Sequence, residues 1–260
     1  MFPFIQCFGK SVSSYGVCMV LGIILVVFLS ARRGRVKGVC FENYLIISSF
    51  IIIFFLFGAS LLYVFVTWSL PQIFSFIKNG DYAFLKNTGL VFYGGLISGV
   101  LGAFLGCKIS KTSLFIAEES FIPYVPLGHA IGRVGCLMAG CCNGVEYNGI
   151  FAITYTNTLF PDLFNKSFFP VQILEALVNL IISFLLLYLC RRDRKLFDLL
   201  FAYVFLYGFS RFFIEFLRGD IIRGSFLKLS TSQWISAFLV AISLAFFCLN
   251  IVIKKKKIIN

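Results

Sequence analysis

Long apolar runs separated by short polar and often basic breaks organise this chain. A helix needs about 20 apolar residues to cross roughly 30 Å of hydrocarbon. Seven runs approach that length: about Val12 to Leu29, Tyr44 to Trp68, Gly89 to Cys107, Leu114 to Met138, Val171 to Cys190, Leu196 to Phe213 and Trp234 to Ile253. The third is rich in glycine. The fourth is interrupted by Glu118, Glu119, Pro123, Pro126, His129 and Arg133, so it is not expected to be an ordinary lipid-facing helix. The pattern predicts an all-α, polytopic membrane protein of about seven transmembrane helices. The longest loops are expected at about Leu70 to Thr88, Cys141 to Phe169 and Leu217 to Ser232. No internal repeat or low-complexity linker divides the chain, so residues 1–260 read as a single integral membrane domain.

Composition agrees with that pattern. The chain is 60% hydrophobic and only 13% charged, against about a quarter charged in soluble domains, which excludes a soluble globular protein. Its net charge of +12 would suit nucleic acid, but the basic residues cluster beside the apolar runs, as membrane topology requires. No nucleic-acid partner is expected. With the N-terminus outside, the cytoplasmic loops hold Arg32, Arg33, Arg35 and Lys37, then Lys108 and Lys111, then Arg191, Arg192, Arg194 and Lys195. The C-terminal Lys254 to Lys257 is cytoplasmic as well. The first apolar run lacks a basic leader and runs straight into the bundle, so no cleavable signal is expected. Nine cysteines at irregular spacing read mostly as small apolar fillers rather than a disulfide framework.

Arg133, Arg211, Arg218, Arg223 and Lys228 fall within or just beyond the fourth and sixth runs. A charge there costs several kcal/mol unless it faces a cavity or a partner, so the group suggests an anion site. In the segment Pro126 to Gly144, helical spacing puts His129, Arg133 and Cys136 at i, i+4 and i+7, on one face. A planar guanidinium grips phosphate in two places; snorkelling of Arg133 is the plainer alternative. A second set, Tyr207, Arg211, Glu215 and Arg218, forms one polar stripe if the helix continues through it. That stripe is either an ion pair cementing the bundle or a fixed cation for a ligand. Gln172 and Glu175 lie three apart at the mouth of the fifth run, and Tyr93 precedes the pair Gly94 and Gly95. Capping and glycine packing are the plain readings of these two. Cys136, Cys141 and Cys142 invite a metal, but C-x4-C-C lacks paired C-x2-C knuckles and Arg133 stands beside it. No metal is expected, and a disulfide stays open.

These residues together resemble the prolipoprotein diacylglyceryl transferase family of bacterial membrane enzymes. The likeness starts at Tyr15 and Gly16 and continues through Tyr93-Gly94-Gly95-Leu96 and Gly132-Arg133-Val134-Gly135 to Gly144. It then takes in Pro170, Gln172 and Glu175, and closes with Tyr207, Gly208, Arg211, Glu215, Arg218, Ser232 and Gln233. The resemblance implies seven spans with the N-terminus outside and the C-terminus cytoplasmic, in the bacterial cell membrane. It implies transfer of the diacylglyceryl group of phosphatidylglycerol onto the lipobox cysteine thiol of a lipoprotein precursor, recognised through its signal peptide. Glycerol phosphate leaves and a thioether forms, with no cofactor. By the same resemblance Arg133 and Arg211 hold the lipid phosphate, Tyr15 and Tyr207 bond the headgroup or acceptor, and Glu215 orients Arg211. Gln172, Glu175 and Arg218 support the outer mouth.

The chain departs from the family pattern in its central chemistry. Tyr93 stands where the family usually has a histidine before Gly-Gly-Leu, and Cys136, Ala139 and Cys141 replace the usual Asn, Asn and Glu. A phenol with a pKa near 10 is a poor base at neutral pH. His129, the chain's one histidine, is therefore expected to take over as base or phosphate contact. Two further readings follow from the altered signature: a related membrane transferase with another acceptor, and a non-catalytic lipid-binding relative.

Overall fold

The computed structural model describes residues 1–7, 9–68, 70–79, 91–158, 160–192, 197–219, 225–226 and 229–259. Nine α-helices run through them: α1 (Ser14–Arg35), α2 (Phe41–Thr67), α3 (Leu70–Lys78), α4 (Phe92–Ile109), α5 (Leu114–Phe121), α6 (Val125–Ala139), α7 (Val171–Leu189), α8 (Asp198–Ile214) and α9 (Thr231–Ile259). Of these, α1, α2, α7, α9 and α8 with its 3-10 extension to Leu217 are long and apolar enough to cross a membrane, and Gly94–Ile109 of α4 is a shorter apolar helix. The chain is an all-α, multi-pass membrane protein. Among the described residues there are three small antiparallel hairpins, Phe4–Cys7 with Lys10–Ser13, Ile153–Thr154 with Ser167–Phe168, and Ser225–Phe226 with Leu229–Ser230. Helix α3 occupies a stretch the sequence pattern assigned to a loop.

The fourth apolar run is not one helix. It breaks into α5, a 3-10 turn at Ile122–Tyr124 and α6. Proline has no N–H to donate and its ring clashes with the preceding turn, and here Pro123 and Pro126 sit three residues apart in the break. In hydrocarbon a disturbed backbone group needs a partner from within the protein, and the Ser183 hydroxyl of α7 donates to the Pro123 carbonyl at 2.7 Å.

The described residues form two compact units, Met1–Leu29 with Glu118–Asn260, and Ser30–Ala117. In the second, α2 and α4 pack along a row of small residues spaced by four: Gly94, Ser98, Gly102 and Gly106. A Cβ on Gly95 would press on the Phe55 ring at 2.6 Å, and one on Gly106 would come within 2.9 Å of the Ile47 Cα. Small side chains let two backbones approach closely where no water drives association.

In the first unit α7 shows the inside-out logic of a membrane helix. Its buried face carries Gln172, Glu175, Asn179 and Ser183, while Leu177, Ile181, Phe184 and Tyr188 are exposed. Polar residues turn inward because lipid offers them nothing. Helix α8 starts on a buried carboxylate from a distant part of the chain. Glu118 accepts the backbone N–H groups of Phe197 at 2.7 Å, Leu199 at 3.1 Å and Leu200 at 3.0 Å. It thus satisfies donors that a helix N-terminus leaves open and puts a negative charge on the positive end of the helix dipole.

Candidate active site

The site forms where α6, α7 and the end of α8 meet inside the first unit. Helix α6 supplies Arg133, α7 supplies Glu175, and α8 supplies Arg211. Helix α8 ends at Ile214 and a 3-10 turn carries Glu215–Leu217. Arg218 follows in extended backbone (φ −86°, ψ 141°). The continuous stripe expected from helical spacing therefore stops at Glu215. Arg218 reaches the site because the helix ends and turns back, its segment held in a bridge to Gly144.

All three guanidiniums converge on Glu175. Arg133 and Arg211 pair with its two oxygens, and Arg218 follows at 3.3 Å. Arg211 also pairs with Glu215 through its other terminal nitrogen, and Arg218 lies 4.0 Å from that carboxylate. Among the described residues, these three cations share the carboxylates of Glu175 and Glu215. The side chains of Arg211 and Arg218 are 5% and 3% exposed, whereas Arg133 keeps 15%. Arg133 is the guanidinium a ligand can reach. The family resemblance put Glu175 in a supporting role at the outer mouth; it is the hub of the ion pairs, which only the approach of three separate segments reveals.

Gln172, one turn before Glu175, donates to the Cys141 carbonyl at 2.7 Å and to the Tyr155 hydroxyl at 2.8 Å. Burial raises the Tyr155 phenol above its ordinary range, against the pull of Gln172. Tyr155 has no sequence signal linking it to this site; the two residues stand 17 positions apart in the chain. Neither Gln172 nor Glu175 serves as a simple helix cap. After α6 the chain stops at Gly140 in the left-handed region (φ 72°), a conformation that suits glycine. It then runs between two others: Val145 N–H donates to the Leu217 carbonyl at 3.0 Å, and Phe169 N–H to the Val145 carbonyl at 3.0 Å. Gly144 lies in this sandwich, where an added Cβ would stand 3.0 Å from the Leu217 carbonyl oxygen. The Asn143 side chain donates to the Gly144 carbonyl at 3.1 Å, and its own carbonyl accepts from Gly219 at 3.1 Å.

His129 lies one helical turn before Arg133, and its ring stands 5.4 Å from that of Tyr207, which in turn lies 5.9 Å from Tyr203. Tyr15 lies on α1 against α6: a Cβ on Gly135 would come within 3.3 Å of the Tyr15 Cα. Gly94 and Gly95 serve the packing of α2 and α4 in the other unit. Tyr93 lies in α4, but its side chain is outside the described residues.

The sulfurs of Cys136, Cys141 and Cys142 all lie within 4.8 Å of one another. The Cys141 thiol donates to the Cys136 carbonyl at 3.6 Å, and Cys142 adopts a left-handed backbone (φ 56°) that is uncommon outside glycine. Hydrogen bonds from the Cys136 and Cys141 thiols push the Cys142 thiol down, with Arg133 and Arg218 acting in the same sense. The partners that share its proton push Cys141 up.

The profile of the prolipoprotein diacylglyceryl transferase family matches residues 3–249. A phosphatidylglycerol–prolipoprotein diacylglyceryl transferase of Clostridium tetani is 32% identical over 242 residues, covering 93% of this chain and 94% of the relative. A second such enzyme of Clostridium perfringens is 29% identical over 246 residues, with 94% and 93% covered. One of Dehalococcoides mccartyi is 29% identical over 236 residues, with 90% and 87% covered.

Proposed function

The chain belongs to the prolipoprotein diacylglyceryl transferase family, and from that membership we propose that it moves the diacylglyceryl group of phosphatidylglycerol to the lipobox cysteine of a lipoprotein precursor. The acceptor binds through its signal peptide, and the site opens to the outer leaflet of the bacterial cell membrane. The observation that carries this reading is the meeting of Arg133, Arg211 and Arg218 on Glu175, with Arg133 the most exposed of the three.

The acceptor sulfur attacks the terminal carbon of the diacylglyceryl group. An S–C bond forms as the C–O bond to phosphate breaks, and the electron pair leaves with the phosphate oxygen. The thiol proton passes to a base, because the thiolate is the nucleophile. A phosphodiester with one negative charge thus becomes a monoester that develops a second. A fixed cation aimed at that oxygen favours the transition state over the ground state. Arg133 is the phosphate-binding residue in this reading. Arg211 and Arg218, engaged by carboxylates, position Glu175 and through it the Arg133 fork. His129, on the same face of α6, takes the thiol proton, and Tyr207 and Tyr15 bond the headgroup or acceptor.

The test uses the full chain in phosphatidylglycerol vesicles with a peptide bearing a lipobox cysteine. Arg133→Gln is expected to lower kcat/KM about 100-fold, and Arg133→Lys to recover only part of that, because a point charge lacks the planar fork. Transfer by Arg133→Gln at a rate close to that of the unaltered chain overturns the assignment. Binding of phosphatidylglycerol by the unaltered chain with no thioether product, on this peptide or any thiol offered, favours a non-catalytic relative.

A further inference from the structure

We propose that Cys136, Cys141 and Cys142 form a three-thiolate site for a soft divalent cation of the zinc class. The fourth coordination position is left for the acceptor thiol, a role that rests on the proposed function. Three independent features support the site. The first is distance. A zinc ion held at about 2.3 Å from each sulfur in a tetrahedral arrangement sets the sulfurs about 3.8 Å apart, so thiols within 4.8 Å of one another need close by only about 1 Å. The second is backbone. The left-handed φ of 56° at Cys142 is a strained conformation for a side chain with a Cβ, of the kind that persists only where the surroundings enforce it. It lies two residues after the left-handed Gly140 turn, and the three sulfurs stand together. The third is the field. The cluster sits at the C-terminus of α6, the negative end of its dipole, which favours a cation.

The neighbouring arginine is no obstacle. Three thiolates and a divalent ion carry one net negative charge, so the site as a whole does not repel Arg133, one turn before Cys136. The cluster is also tied to the ion-pair hub, since Gln172 holds the Cys141 carbonyl one turn from Glu175. The spacing C-x4-C-C suggested no knuckle because paired knuckles serve sites closed by four protein ligands. A site closed by three keeps a position for a reactant.

The chemistry balances. The acceptor thiol displaces a metal-bound water, its sulfur joins the metal, and its proton passes to His129, the base of the proposed function. A coordinated thiol is deprotonated outright, so the sulfur arrives as thiolate beside the group that receives the phosphate charge. The thioether-forming step then proceeds as above and releases sulfur from the metal.

The experiment uses the full chain purified in detergent with reductant and without chelator. Metal analysis is expected to find a single zinc per chain, retained by Cys40→Ser and Cys248→Ser and lost from Cys142→Ser. Cobalt(II) loaded into the unaltered chain is expected to give thiolate-to-cobalt charge-transfer absorption, a readout that needs no variant. A lipobox-cysteine peptide should shift that absorption and its serine analogue should not. A chain that holds no zinc, cobalt spectra without sulfur ligation, or a disulfide among these cysteines in freshly isolated membranes overturns the site. A metal-free chain that still transfers diacylglyceryl overturns the inference and leaves the proposed function standing.

Discussion

At the scale of single residues, the decisive feature is that one carboxylate serves three cations. Removing one partner of a buried ion pair costs about 3–5 kcal/mol, because the other charge stays behind unpaired. Glu175→Gln removes the carboxylate that Arg133, Arg211 and Arg218 share, and Glu175 is 4% exposed. The variant is expected to lose about 3–5 kcal/mol of stability, read as a lower melting temperature in detergent. An unchanged melting temperature would show that the hub is not held by charge. Here the sequence was readable in part. Arg133 and Arg211 stood out because a guanidinium in an apolar run demands a reason, and so did Glu175 as a polar residue near them. Its rank as hub did not show, because α6, α7 and the segment at Arg218 are far apart in the chain and spacing reports only neighbours on one helix. Tyr155 carried no signal at all: a tyrosine in a polar loop looks the same whether it meets Gln172 or water.

At the scale of elements, polar residues inside apolar runs mark where helices begin, end or break. Glu118 read as an interruption of the fourth run, and it caps α8 by accepting three backbone donors. Losing such a cap costs about 2 kcal/mol when the donors stay buried. Glu118→Ala is expected to lower the melting temperature accordingly, and Glu118→Gln, whose amide oxygen still accepts, to lower it less. Equal effects of the two would deny the hydrogen bonds their role. The paired prolines announced the break between α5 and α6, but that Ser183 of α7 would satisfy its carbonyl was invisible. The helical stripe through Arg218 was over-extended for a similar reason: the segment after Glu215 pairs with Gly144 from elsewhere in the chain, which no local pattern records.

At the scale of the whole molecule, we propose from the clusters of Arg and Lys beside the apolar runs that the loop between α1 and α2 lies on the cytoplasmic side. Cys40 lies in that loop and is exposed, so it reports sidedness. In a variant keeping Cys40 as the sole cysteine, a membrane-impermeant maleimide is expected to label only after permeabilisation. Labelling in intact cells would reverse the orientation. The sequence alone settled the solvent, the helical class and the family, because hydrocarbon length and the cost of charge in lipid act on the chain residue by residue. Which polar groups meet, that Glu175 gathers three guanidiniums while one stays open, and that three thiols stand together at the end of α6 were decided by tertiary structure. Those meetings join segments far apart in the chain, and only the packing of helices against one another determines which of them come within a few ångströms.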